Sequence, residues 1–121
     1  MEEIHLRNYA YFGDAVWEIF IRKQTILLTE NSKKLHELTT AKVKMGFQAE
    51  LLKFLEPYLS EAELEIARRG RNLSIPMNRR QNQGEYRLAT AFETLIGWWY
   101  LNDINRYNEI IDVLQTQINF N

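Results

Sequence analysis

The sequence predicts an all-α fold in a single domain spanning residues 1–121. Two observations lead there. Apolar residues recur at helical spacing in one stretch after another, and no stretch shows the strict alternation of a half-buried strand. A third is the length: 121 residues can bury one substantial core but not a core plus a second module.

The elements follow in order. A first helix is expected from about Leu6 to Leu28, apolar on nearly every face between Tyr9 and Ile21. Such a helix belongs either at the centre of a core or between a core and a partner subunit. Gly13 within it costs about 1 kcal/mol relative to alanine, which marks a close backbone approach. Ser32 is placed to cap a short helix through Leu38, and Thr39 or Thr40 to cap the next. In that next helix Val43, Phe47, Leu51, Phe54 and Leu55 share a face, and Pro57 ends it. Ser60 and Glu63 form a capping-box pair that starts a helix ending near Gly70. From Gly70 to Gly84 apolar residues are sparse, and the segment reads as a long mobile loop. Glu85 opens a helix to about Leu101, Asn102 and Asp103 stop it, and a last helix carries Ile104, Tyr107, Ile110, Ile111, Leu114 and Ile118 as one stripe.

Composition removes several kinds of chemistry. Cysteine is absent, so disulfides and thiolate chemistry drop out. Two histidines and three serines, none in a strand-turn-helix elbow, argue against a hydrolytic triad, and the same shortage argues against zinc. No charged-then-apolar leader begins the chain and no apolar run reaches the roughly 20 residues of a membrane span. A soluble protein of the reducing cytoplasm, with no membrane partner, is expected. The net charge of −1 hides a segregation. Between Ile66 and Phe92, Arg68, Arg69, Arg71, Arg79, Arg80 and Arg87 stand against Glu85 alone, a local charge of +5. Arginine suits phosphate because its planar fork donates two parallel hydrogen bonds.

Two apolar stretches, Tyr9 to Ile21 and Ala89 to Tyr100, each hold one acid at their centre, Asp14 and Glu93. A buried unpaired carboxylate is costly, so both acids call for company. A hard cation is one answer, because Mg²⁺ needs only one or two protein carboxylates. Gly13 and Gly97 would let the two helices cross closely enough for Asp14 and Glu93 to reach one ion. The alternative is that each acid pairs with an arginine, such as Arg22 or Arg87, and serves only the fold. Glu18 lies beside Asp14 on the first helix and Thr90 beside Glu93 on the other, placed to touch an ion's waters or to bridge salt.

Three features resemble a known family: Tyr11-Phe12-Gly13-Asp14-Ala15-Val16-Trp17-Glu18, Arg69-Gly70-Arg71-Asn72, and Tyr86 to Glu93 ahead of Leu95-Ile96-Gly97. The first and third resemble the two acidic motifs of ribonuclease III endonuclease domains, and all three together are most similar to the Mini-ribonuclease III branch. The resemblance implies an all-helical homodimer that cleaves double-stranded RNA with Mg²⁺ and lacks a separate RNA-binding domain. Its implied substrate is the precursor of large-subunit (23S) ribosomal RNA, with a ribosomal protein as a possible helper. Carried over, Asp14 and Glu93 match the metal-binding catalytic acids, and Tyr11, with Phe12 beside it, matches the aromatic position that plugs into the partner subunit. Arg68, Arg69, Arg71, Asn72, Arg79, Arg80 and Arg87 become the candidate RNA contacts. Two further acids of full-length ribonuclease III correspond here to Ala10 and Thr90, as in the Mini-III branch. The competing readings are a helical dimer that binds RNA without cutting it and an interaction protein with no nucleic-acid partner.

Overall fold

The computed structural model describes residues 5–120, the side chains at 79 and 80 excepted, and all of its regular structure there is helical. Six helices follow one another: α1 (Leu6–Thr25), α2 (Ser32–Val43), α3 (Met45–Leu55), α4 (Glu61–Arg71), α5 (Gln83–Asn102) and α6 (Ile104–Gln115). Short 3-10 turns at Glu56–Tyr58 and Met77–Asn82 join α3 to α4 and α4 to α5.

The axis of the fold is α5. It packs most extensively on α1, then on α3 and α4, with α6 closing one side. Its buried residues run from Ala89 through Phe92, Leu95 and Ile96 to Trp99, so the middle of this helix is covered on every side but that of Glu93, much as its continuous apolar run predicts. Trp17 of α1 sets its ring edge-on to Phe92, centroids 5.0 Å apart, and donates its indole N–H to the Lys42 carbonyl at 2.8 Å. Both tryptophans of the core thereby satisfy their one polar atom, Trp99 by donating to Glu63 at 2.8 Å.

Helix ends obey local chemistry. The Ser60 hydroxyl accepts from the Glu63 N–H while the Glu63 carboxylate accepts from the Ser60 N–H, the capping box read from the sequence. Asp103 caps α6 through the Arg106 N–H, and His5 caps α1 through the Arg7 N–H.

Four expectations need correcting. The first helix stops at Thr25, and residues 26–28 form a turn, because Leu27 and Leu28 donate to carbonyls only three residues back. The cap of α2 is Asn31, not Ser32, and α2 runs on to Val43 instead of ending at Leu38. Thr39 and Thr40 therefore lie inside α2 and cap nothing; Thr39 is buried against Thr25, hydroxyl to hydroxyl at 2.8 Å. The break falls at Lys44, whose extended backbone ends α2 and begins α3 with no side-chain cap. The segment 70–84 is not one long loop. Its first residues complete α4, Met77–Asn82 form the 3-10 turn, and Gln83 and Gly84 start α5. The Arg7 guanidinium also holds it, donating to the carbonyl and the hydroxyl of Ser74 at 3.1 and 2.9 Å.

The burial of α1 also differs from expectation. Tyr9, Ala10, Gly13, Val16, Trp17, Ile21 and Thr25 face inward along one stripe, while Tyr11 is 83% exposed and Ile19 61%. α5, with smaller contacts from α2 and α4, covers that stripe, and the other apolar face stays open.

Candidate carboxylate centre and its surroundings

Where α1 crosses α5 the helices run antiparallel, and glycine stands on both sides. A Cβ on Gly13 would overlap the Glu93 carbonyl, and a Cβ on Gly97 would overlap the Tyr9 carbonyl. Asp14 follows Gly13, and Glu93 sits one turn before Gly97, so this crossing brings one acid from each helix together. The two carboxyl groups come close enough for Asp14 to act on the Glu93 carboxyl.

Their surroundings are unequal. Asp14 is exposed at the mouth of a cavity of about 430 Å³, and Glu93 is largely enclosed in its wall. The expectation that both acids are buried thus holds in part for Glu93, which is half-buried, and fails for Asp14, which lies on the edge of α1 that α5 leaves uncovered. Burial, followed by the hydrogen bond and the charge of Asp14, pushes the Glu93 carboxyl up to about 9, against a smaller opposing pull from the Gln48 amide. Val43, Lys44, Met45, Gln48, Tyr86, Ala89 and Thr90 line the rest of the cavity.

Among the described residues neither acid is paired with an arginine. Arg22 meets Glu18 at 3.3 Å on the outer side of α1, and Arg87 donates to the Arg71 carbonyl at 2.7 Å, joining α5 to the end of α4. Glu18 accordingly does not line the cavity, whereas Thr90, nearly buried, does. Among the described residues no group of three or more His, Cys, Asp or Glu is gathered anywhere. Two neighbouring carboxyl groups at an open cavity nevertheless fit Mg²⁺, which retains waters on the sides that protein leaves free.

The arginine-rich stretch is less uniform than its sequence suggests. Arg68 is held by Glu65 through two hydrogen bonds of 2.7 and 2.6 Å. Arg69 is exposed, Arg71 half-buried, and Asn72 caps α4 at the surface. Arg87 is half-buried and committed to its carbonyl partner. The side chains of Arg79 and Arg80 lie outside the described residues. Tyr11 projects from the open face of α1, and Phe12 lines a neighbouring groove of about 410 Å³ with Ile19, Phe20, Tyr100 and Tyr107.

Sequence reasoning missed Lys44, Tyr86 and Gln48 as lining residues. Only Gln48 carried a signal, being a polar residue on the same helical face as Leu51, Leu52 and Leu55.

Six helices around a glycine crossing that joins two acids define a ribonuclease III domain, and the family model described as Ribonuclease III domain matches residues 7–103. The chain belongs to the Mini-ribonuclease 3 branch of that family of endoribonucleases. It is 40% identical over 111 residues to the Mini-ribonuclease 3 of Gloeobacter violaceus, covering 92% of this chain and 82% of that one. Against the Mini-ribonuclease 3 of Clostridium tetani it is also 40% identical, over 87% of this chain and 72% of the relative. A crystal structure of a Fusobacterium nucleatum protein superposes with a TM-score of 0.83 at 30% identity, covering 95% of both chains.

Proposed function

We propose that this chain is a Mg²⁺-dependent endoribonuclease that cuts double-stranded RNA as a homodimer, with the 23S ribosomal RNA precursor as its substrate in the cytoplasm. The observation that carries the reading is the contact between Asp14 and Glu93 at the mouth of an open cavity. The whole chain acts as one catalytic domain.

Asp14 and Glu93 would hold the ion, and Thr90 lines the same cavity. When bound, Mg²⁺ supplies an activated water and offsets charge on the phosphoryl oxygens. Asp14, facing solvent, is open to the incoming phosphodiester, whereas Glu93 anchors the site from the interior. In-line attack leaves a 5′-phosphate and a 3′-hydroxyl. A-form RNA hides its base edges in a deep, narrow groove, so recognition runs through phosphates, 2′-hydroxyls and shape. Arg69, Arg71 and Asn72, at the end of α4, are the leading contacts, with Arg68, Arg79 and Arg80 extending them, while Arg87 braces the end of α4 through the Arg71 carbonyl.

The open face of α1 supports the dimer. Tyr11, Ala15 and Ile19 continue one apolar strip at helical spacing, and Phe12 lines the groove beside it, so a second copy would cover surface that is costly to leave wet. A two-fold pair places two carboxylate centres on opposite strands of one duplex. No helix among the described residues is long and apolar enough to cross a membrane, in keeping with a cytoplasmic site of action. A ribosomal-protein helper would act by presenting the RNA.

The test is cleavage of a long RNA duplex in Mg²⁺ by the wild type and by Asp14→Asn, with binding followed in Ca²⁺. The wild type is expected to cut, the variant to bind without cutting. A wild type that binds and never cuts would replace the nuclease by an RNA-binding dimer.

A further inference from the structure

Gln48 is 2% exposed, on a face of α3 otherwise filled by Leu51, Leu52 and Leu55. An amide buried there must find hydrogen bonds that leucine or methionine would not need. It reaches instead into the carboxylate cavity, where its Nε2 donates to Glu93 Oε2 at 3.5 Å. Glu93 therefore has two side-chain partners, Asp14 from α1 and Gln48 from α3. These differ in kind. Two ionised carboxylates cannot bond each other, so with both acids ionised the amide is the side-chain donor that Glu93 keeps among the described residues.

We propose that Gln48 is a positioning residue for the metal, holding the Glu93 carboxylate in register with Asp14 and thereby setting how tightly the site takes a divalent cation. The inference rests on the nuclease reading above for its catalytic consequence, but not for the binding itself. A neutral amide does this without adding a third negative charge to a site already crowded by two. Its place on α3 also means that three helices, not two, fix the geometry of the pair.

The experiment compares wild type with Gln48→Met, which keeps length and apolar volume but removes the donor. Binding of Mn²⁺ alone, without RNA, is followed by the electron paramagnetic resonance of the free ion, alongside melting and the Mg²⁺ dependence of duplex cleavage. The variant should bind Mn²⁺ about tenfold more weakly, as is usual when the partner of a metal ligand is lost. The Mg²⁺ needed for half-maximal cleavage should rise by a similar factor, with the rate at saturating Mg²⁺ little changed and the metal-free melting temperature no lower. Unchanged Mn²⁺ affinity in a folded Gln48→Met would overturn the proposal. Should that variant not fold, Gln48→Asn decides, since it keeps an amide one methylene too short to reach Glu93; wild-type Mn²⁺ affinity there would equally overturn it. Absence of wild-type cleavage would count against the nuclease reading alone, because the Mn²⁺ titration judges Gln48 independently.

Discussion

Gly13 and Gly97 meet backbone to backbone: a Cβ on Gly97 would stand 3.0 Å from the Gly13 nitrogen, and one on Gly13 would stand 2.8 Å from the Gly97 nitrogen. No side chain separates the helices at this point. Main-chain contact therefore sets the distance between Asp14 and Glu93, and the neighbouring atoms are carbonyls and amides that cannot rotate out of the way.

Gly97→Ala is expected to force α1 and α5 apart, costing about 3 kcal/mol of stability and lowering cleavage although both acids remain. Gly84, with nothing within 4 Å of a Cβ at its place in the first turn of α5, is the control. There alanine should stabilise the protein by about 0.5–1 kcal/mol through helix propensity alone. Urea unfolding of the two variants, with cleavage rates at equal folded fraction, checks both.

Glu93 makes the metal-free protein sensitive to alkali. Its carboxyl titrates at about 9 when folded against an ordinary value of 4.5, so between these pH values the folded state holds a proton that the unfolded state has lost. Stability must then fall as pH rises through that window. Thermal melts in a chelator from pH 6 to 9 should show the decline in the wild type and a flatter profile in Glu93→Gln. Near neutral pH a divalent ion should displace a proton on binding, measurable as a buffer-dependent calorimetric heat.

Glu63 has the opposite sign. Burial pushes its carboxyl up, but hydrogen bonds from Arg106, the Ser60 N–H and the Trp99 indole outweigh that effect and hold it down at about 2. This contribution is complete above 4.5 and lost as pH falls toward 2. Glu63→Gln leaves the Arg106 guanidinium facing a neutral amide, and about 3 kcal/mol should be lost. Acid unfolding followed by circular dichroism should find the variant less stable at pH 7 and its stability less dependent on pH.

Tyr11→Asp should keep the chain folded yet separate it into single copies, because Tyr11 is exposed and its replacement buries no charge. Sedimentation velocity at micromolar concentration is the measurement. A wild type that sediments as a monomer would leave the apolar strip of α1 without its proposed cover.

The helices, the capping box and the glycine crossing were legible because each depends on neighbours a few residues away or on a run of apolar positions. Asp14 and Glu93 were legible as outliers in such runs. What was not legible depends on which face of a helix another helix happens to cover. Asp14 looked buried because Tyr11, Ala15 and Ile19 flank it, yet α5 covers only the Gly13 side. Arg87 looked available for phosphate, but its guanidinium closes the end of α4. The join at Lys44 carries no proline or capping side chain, and the nearby Gly46 lies within the first turn of α3, so the break itself had no local signal.

The residues between α4 and α5 are pinned where they leave α4, by Arg87 on the Arg71 carbonyl, and again midway, by Arg7 on Ser74. Beyond those pins the turn at 77–82 runs straight into α5, and the contacts that hold the carboxylate pair lie elsewhere, on α1, α3 and the middle of α5. For an engineer this is a natural cassette: exchanging its six residues for those of relatives would leave both the anchoring bonds and the residues that line the carboxylate cavity in place.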